Sequence, residues 1–549
     1  MLRQAKNIFT VNVLRISQAP CLKKHLIKLK MNTLYKNKTT IISIIVLISI
    51  FQLLSRHVPA PVTGFVADDW RSLYWGRTMT WETIIVQTAD ELDRPMCMLF
   101  IPATFKLLGD DLWKYAVLNV AYNTLTIVFM ILFVSCLTQD NRVALCTAIV
   151  FALLPNITES FHWAHHTAIG FCSLGYVASM YYGFLYAGSP TKKVYGICAA
   201  LFYGMALFAY ESGALLPLVI LFVLISRKTK EWMRIMIPYI GVIIVYIGWR
   251  IGWLGATSHI LNYRDYLEQS YNMADLFYNA RVSLSWWIGE NMLRSIGNGI
   301  AGFLEWSTPL RITLMLLNVG AVAIVVLVYN RIDRSPVKVH EKSQTMMALF
   351  VGLIWFSITS IPSVVAWSAG RLNYLPGLGF ALAVSTCLVR WGGMRSALMI
   401  GVLFLCVNQG TTKNWHDSGK YQKAMYDHMS KTMNEWVDAE VILVDTINLR
   451  QRQTRGLYYP IGSQDFTWAL HGNAQLARSF VPAAIVDLLR LEHDLAKAPI
   501  VLNDVEYSAK TDGTELVWHG RFYMGITNRA PLDRVFIIDA LAVNKLSND

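Results

Sequence analysis

Charge is scarce in this chain. Asp, Glu, Lys and Arg make up 15% of the 549 residues, where a soluble protein carries about a quarter. That shortage excludes an ordinary soluble globular domain. Acidic residues are missing altogether from the first 40 positions, which hold nine Lys or Arg. No Cys-x-x-Cys occurs among the eight cysteines, most of which lie in or beside apolar runs (Cys136, Cys146, Cys172, Cys198, Cys387, Cys406). Neither a zinc site nor a disulfide framework is indicated. The first 30 residues lack the apolar core and cleavage site of a signal peptide; Met31 stands as an alternative start to Met1. The stretch after residue 410 holds no nucleotide-binding glycine loop and no metal-ligand cluster.

What the chain has instead is apolar length. Hydrophobic residues are 54% of it, and several runs reach the roughly 20 residues that cross a bilayer. Spans are expected near 40–55, 114–137, 142–155, 167–187, 194–209, 212–226, 233–254, 309–329, 345–361, 373–389 and 396–409. The net charge of +13 points to topology rather than nucleic acid, because it sits in short gaps between those runs. Lys192-Lys193, "RKTK" at 227–230, "RIDRSPVKVHEK" at 331–342 and "RWGGMR" at 390–395 all fall inside once the basic N-terminus is placed inside. Such loops also favour anionic membrane lipids. The expected organisation is a basic cytoplasmic segment 1–39, a membrane domain 40–409 and an extracytoplasmic domain 410–549.

The same count puts Asp68, Asp69, Arg94, Glu159, His162, His165, His166, Glu211 and Arg371 on the outer face. Chemistry is expected there. The first outer loop carries "WRSLYWGRTMTWETIIVQT", whose aromatic and aliphatic residues recur at helical spacing and suit a helix in the headgroup plane. The Trp- and Tyr-rich stretch 255–308 reads similarly. After residue 410, "TKNWHDSGKYQKAMYDHMSKTMNEW" reads as a polar amphipathic helix. "EVILVDT", "PIVLND", "TELVWHG" and "RVFIIDA" read as short strands of a small α/β domain.

Four polar stretches compete for a role. "GFVADDWR" sets Asp68 beside Asp69. A helix N-cap explains one carboxylate; a general base at the membrane surface, with its pKa raised by its neighbour and by partial desolvation, explains two. "ESFHWAHH" offers Glu159, His162, Trp163, His165 and His166. His162 and His166 stand at i,i+4 as zinc ligands do, but the HExxH glutamate is lacking, so hydrogen bonding to a phosphate or sugar is favoured over a metal. Glu211 in "AYESGALLP" is either the partner of an outer Arg or a binding group. Arg371 in "WSAGRLNYLPGLGF" either snorkels to headgroups or, beside Asn373 and Tyr374, grips a phosphate with paired N–H donors.

Taken in order, these stretches resemble a known pattern. An acidic pair in the first loop ("ADDW") precedes an Arg-Pro step ("DRPMCMLFIPATFKLLGDDLWKYAVLN", from Arg94 to Asn119). A Pro…Glu…Trp loop ("LPNITESFHW"), a turn opening a span ("YESGALLPL") and a Gly-Arg-x-x-Tyr-Leu-Pro stretch ("AGRLNYLPGLGF") follow. Over roughly residues 40–460 the chain resembles the GT-C superfamily of polyprenyl-phosphate-sugar glycosyltransferases, and among them the bacterial relatives of protein O-mannosyltransferases and of tetratricopeptide-linked transferases. Two departures stand out: the usual His before Pro155 is Leu154, and the usual Lys before Glu211 is Tyr210.

The resemblance implies an all-α polytopic membrane protein of GT-C type with about 11 transmembrane helices, amphipathic outer-loop helices and the small C-terminal α/β domain. It implies an inverting hexosyltransferase using a polyprenyl (undecaprenyl) phosphate sugar, acting at the outer face of a bacterial inner membrane on a glycan, lipid or protein acceptor, as in O-antigen or lipopolysaccharide modification. Asp69 or Asp68 would be the base. Arg371, Arg94, Tyr374, His165 and His166 would hold the donor phosphate and lipid. Glu159, Glu211, His162 and Trp163 would orient the sugar or acceptor. No cofactor is required by this scheme, and a divalent cation is left open. The rival functions are a transporter or flippase of lipid-linked sugars, which calls for charged or broken helices near the midplane, and a lipid-linked glycan polymerase or ligase, which does not call for the acidic pair.

Overall fold

The computed structural model describes residues 49–50, 52–57, 68–90, 94–157, 162, 164, 167–227, 229, 231–252, 273–333, 341–365, 370–436, 441–445, 478–479, 508–511, 515–519 and 527–539. For Asp68, Glu211 and Arg371 the backbone alone is described.

The first outer loop, expected as one headgroup helix, is two: α1 (Asp68–Thr78) and α2 (Trp81–Asp90). The break follows from Thr80, whose hydroxyl accepts from the Thr83 N–H at 3.0 Å and so caps the second helix. Next comes α3 (Pro95–Leu108), opened by a proline at its first position, where the missing N–H costs nothing. The long α4 (Leu112–Thr138) is capped by Asp111, which accepts from the Trp113 N–H at 3.1 Å. A left-handed Gln139 (φ 56°) ends it. Asp140 then caps α5 (Asn141–Leu153), accepting from the Arg142 N–H at 2.8 Å while pairing with its guanidinium at 3.0 Å.

Seven helices follow: α6 (Thr167–Gly188), α7 (Lys193–Ala209), α8 (Leu216–Ser226), α9 (Trp232–Gly252), α10 (Met273–Ile288), α11 (Glu290–Glu305) and α12 (Thr308–Asp333). Three more complete the membrane region: α13 (Glu341–Val365), α14 (Tyr374–Cys387) and α15 (Gly393–Lys431). Among the described residues, five helical stretches are long and apolar enough to cross a bilayer: Leu112–Thr138, Trp232–Ile251, Thr308–Val325, Met346–Val364 and Tyr374–Trp391. Shorter apolar helices lie at Pro95–Leu108, Asn141–Leu153, Lys193–Ala209 and Ser212–Ser226. The first expected span, 40–55, falls mostly outside the described residues.

These helices divide into an inner and an outer set. The apolar stretches of α4 and α14 are 61% buried, those of α9 and α12 only 22%. Met233, Ile237, Ile244 and Ile251 on α9, and Leu316, Val319 and Leu327 on α12, are exposed, which suits helices that face lipid. The inner set packs aromatic against aromatic. Trp355 and Tyr176, both fully buried, stack at 5.6 Å.

The expected boundary at 409/410 is bridged by one helix. α15 runs for 39 residues, roughly 58 Å, straight through the change from apolar to polar sequence. Its polar residues Asn408, Gln409, Thr411, Thr412 and Asn414 are buried, so the loss of hydropathy does not mark an exit from the core. Gly410 lies against Gly299 and Gly302 of α11 so closely that a Cβ on Gly299 would stand 2.5 Å from the Val407 carbonyl. Small residues at such a seam let two backbones meet.

Beyond α15, three of the four expected strands are seen. β1 (Val441–Asp445) pairs antiparallel with β2 (Arg478–Ser479) and parallel with β6 (Val535–Asp539). A second sheet orders β3 (Ser508–Thr511), β4 (Glu515–His519) and β5 (Thr527–Pro531), all antiparallel. "PIVLND" lies outside the described residues.

Candidate active site

The site begins where the first helical stretch, residues 52–56, turns at His57. Arg56 is wholly buried and donates from Nη2 to the carbonyls of Ala152 (2.9 Å) and Leu154 (3.4 Å). Its guanidinium therefore caps the C-terminal end of α5, where a cation is favoured. Burial pulls its pKa down to about 9, still protonated at neutral pH. α15 holds the same turn from the other side. Gln409 donates to the Leu54 carbonyl at 3.2 Å and exchanges a reciprocal amide pair with Asn318 at 2.8 and 3.0 Å. The Thr412 hydroxyl reaches the carbonyls of Ser55 and Arg56 at 3.3 and 3.2 Å. His57 is consequently fixed in direction by its neighbours' backbone.

His57, Asp69, Leu112, Tyr115, Ala116, Asn119, His162 and Ala164 wall a single cavity, about 280 Å³ with its mouth included. His57, Asp69 and His162 are 3%, 2% and 4% exposed. The two imidazoles meet edge to face at 5.8 Å, and Trp415 of α15 stacks behind His162 at 5.7 Å. None of the four ring nitrogens of His57 and His162 has a hydrogen-bond partner among the described residues. Leaving a buried polar atom unpaired costs about 1–3 kcal/mol, so both rings are tuned to something the cavity admits. Desolvation pushes the pKa of His57 down to about 4, with the charge of Arg56 adding to the effect. Desolvation, then His57 and Arg56, push His162 well below its ordinary value. Both rings are neutral at pH 7, each offering one N–H and one lone pair.

A second cavity, about 220 Å³ with its mouth included, is walled by Ile169, Cys172, Tyr210, Ser212, Leu372, Tyr374 and Leu375. Arg94, which precedes α3, places its guanidinium carbon 4.1 Å above the Tyr210 ring. This cation–π contact seats a positive charge on the very residue that stands where a lysine is usual in the resembling family. The Tyr374 hydroxyl donates to Asn123 Oδ1, so Tyr374 turns its ring rather than its hydroxyl to this cavity. Asn123 donates to the Asn119 carbonyl at 2.7 Å, and Asn119 Oδ1 accepts from Tyr122 at 2.5 Å. A polar chain along α4 thus links the walls of the two cavities.

Of the residues expected from sequence, Asp69 and His162 come together, Tyr374 lines the second cavity, and Arg94 stacks on Tyr210, another of that cavity's walls. Asp68 opens α1 beside Asp69, and Glu211 and Arg371 sit in short 3₁₀ turns, Glu211–Leu215 and Gly370–Asn373. Glu159, Trp163, His165 and His166 lie outside the described residues. Among the described residues no group of three or more His, Cys, Asp or Glu is placed to hold a metal ion. Sequence reasoning missed His57, Arg56 and the role of Asn119 as a wall. One signal was available: "SRH" is a basic cluster at the end of a span expected outside, contrary to the usual charge bias.

Comparison with known proteins gives one family match and several distant structural ones. Residues 93–253 match the model of the dolichyl-phosphate-mannose-protein mannosyltransferase family. No curated protein matches the chain. ArnT from Cupriavidus metallidurans, solved with undecaprenyl phosphate, aligns at 15% identity and a TM-score of 0.37, covering 80% of this chain and 89% of that one. The oligosaccharyltransferase AglB from Archaeoglobus fulgidus, solved with an inhibitory peptide and a dolichol-phosphate, aligns at 11% identity and a TM-score of 0.35, covering 72% and 59%. The family match, over residues 93–253, agrees with the resemblance drawn from the motifs.

Proposed function

We propose that the chain is an inverting glycosyltransferase that moves a sugar from a polyprenyl-phosphate donor to an acceptor hydroxyl at the outer face of a bacterial inner membrane. The observation that carries this reading is a carboxylate in the wall of one cavity and a cation stacked on a wall residue of another. Asp69 lines the first, and Arg94 stacks on Tyr210, which lines the second. Glycosyl transfer from a phosphate needs both parts, because a proton must leave the acceptor while negative charge builds on the leaving group.

In this mechanism Asp69 takes the proton of the acceptor hydroxyl. The freed oxygen attacks the anomeric carbon from the face opposite the phosphate. The bond from that carbon to the phosphate oxygen breaks, and its electron pair leaves on the lipid phosphate, giving inverted configuration. Arg94 and Arg371 stabilise the departing charge, with His165 and His166 as further partners. Asp68 at the first turn of α1 supports its neighbour, and Glu159, Glu211, His162 and Trp163 orient sugar and acceptor. The isoprenoid tail runs between lipid-facing helices, and the acceptor is a cell-surface glycan, lipid or protein. The strands after α15 form a small extracytoplasmic domain.

The test is to incubate purified full chain with radiolabelled polyprenyl-phosphate sugars, mannose first, and to follow release of lipid phosphate. Turnover that Asp69→Asn abolishes supports the reading. Wild-type turnover by both Asp69→Asn and Asp68→Asn overturns the assignment of the base.

A further inference from the structure

The first cavity has room for about one water-sized group at its centre. That is too little for a sugar ring and right for one oxygen. Its polar lining is Asp69, Asn119, Tyr115 (whose hydroxyl is given to the Gly109 carbonyl at 2.8 Å), His57 and His162, and the four ring nitrogens of the two histidines lack partners among the described residues while both rings are more than nine-tenths buried. Among the described residues the lining carries no cation: Nη2 of Arg56 is turned to the carbonyls of Ala152 and Leu154. An anionic phosphate beside Asp69 meets repulsion here, whereas an uncharged O–H meets donors and acceptors on several sides. The second cavity, one of whose walls, Tyr210, carries the Arg94 guanidinium, is the one suited to charge.

We propose that His57 and His162 form a socket for a single hydroxyl, held by the two imidazoles within reach of Asp69, and that His57 is a binding residue for the oxygen that attacks the donor. This rests on the transferase reading for the identity of the oxygen, which is an acceptor hydroxyl or, with no acceptor, water. With water in the socket, Asp69 takes one of its protons, the remaining oxygen joins the anomeric carbon, and the lipid phosphate leaves with the bonding pair, so the products are free sugar and lipid phosphate. The rings hold the nucleophile and do not exchange protons with it.

Two measurements on the full chain in lipid nanodiscs test this. The first is a cryo-EM map sharp enough to show ordered water, compared between wild type and His57→Phe. Density is expected at roughly 3 Å from a ring nitrogen of both His57 and His162 in the wild type and lost in the variant. A wild-type map with nothing there overturns the socket. The second uses short-chain polyprenyl-phosphate mannose as probe and water as nucleophile. His57→Phe is expected to lower the hydrolysis rate roughly tenfold, the worth of one well-placed hydrogen bond, with donor KM unchanged, and His57→Gln is expected to recover part of the rate. Phe keeps the ring's shape and removes two unpaired polar atoms, so a stable fold is expected. Should it misfold, His57→Gln and His162→Gln carry the same comparison. Equal rates in wild type and every variant overturn the proposal. Density in the socket together with no turnover of any lipid-linked sugar keeps the socket and defeats the transferase reading.

Discussion

The two cavities, joined through the Tyr374–Asn123–Asn119 hydrogen bonds, are built from opposite materials. One is lined by a carboxylate, two neutral imidazoles and an amide. The other is lined mainly by tyrosine rings and aliphatic side chains, with Cys172 and Ser212, and a guanidinium stands over one ring. A buried carboxylate needs an uncharged partner that gives up a proton; a stacked arginine needs an anion with a greasy neighbour. A transferase working on a lipid phosphate has to keep these demands apart, since a cation beside the base weakens it and a carboxylate beside the phosphate repels it. Arg56, whose charge bears on both imidazoles, gives its Nη2 to the carbonyls at the end of α5.

The sharpest way to break this contrast is Asp69→Asn. A loss of roughly 10²–10⁴-fold in transfer is expected with donor binding intact, and a loss of donor binding instead means the two cavities are not divided in labour. Acid probes the neutrality of the histidines. His57 is held at about 4 when folded against about 6.5 when unfolded, so the unfolded chain takes up the proton first as pH falls. Stability is therefore complete above about pH 6.5 and declines through the window down to about pH 4, by at most about 3 kcal/mol from His57, with His162 acting in the same direction. Thermal melts across that range check it, and His57→Phe should flatten the curve. Arg94→Ala should raise donor KM roughly tenfold or more without altering use of the acceptor. Arg94→Lys should cost less, about the cation–π difference of 0.5–1 kcal/mol, seen as a small rise in the same KM.

Hydropathy made the long helices legible. The run expected at 114–137 is α4, Leu112–Thr138, and that at 142–155 is α5, Asn141–Leu153, because apolar length is a one-dimensional property. The acidic pair and the Arg-Pro step were legible as motifs; Asp69 lines a cavity and Arg94 stacks on Tyr210, which lines another. Three things were not. The break at Thr80 depends on one hydroxyl finding the Thr83 N–H. The continuation of α15 past residue 410 depends on buried polar partners that only the packed chain supplies, such as Leu54 and Ser55 for Gln409 and Thr412. His57 was invisible because its meaning comes from His162, 105 positions away in the sequence, and no periodicity connects the two.

Where Gly410 lies on Gly299 the seam is made of main chain alone. Nothing smaller than glycine exists, so substitution at these two positions has only one direction, outward, and the spacing between α11 and α15 has no finer adjustment available. Gln409 and Thr412, which grip the turn bearing His57, stand on either side of that seam. The height of the imidazole over the cavity is thus set by a stop that side-chain variation cannot retune, and any drift in this chain's reactivity has to arise elsewhere.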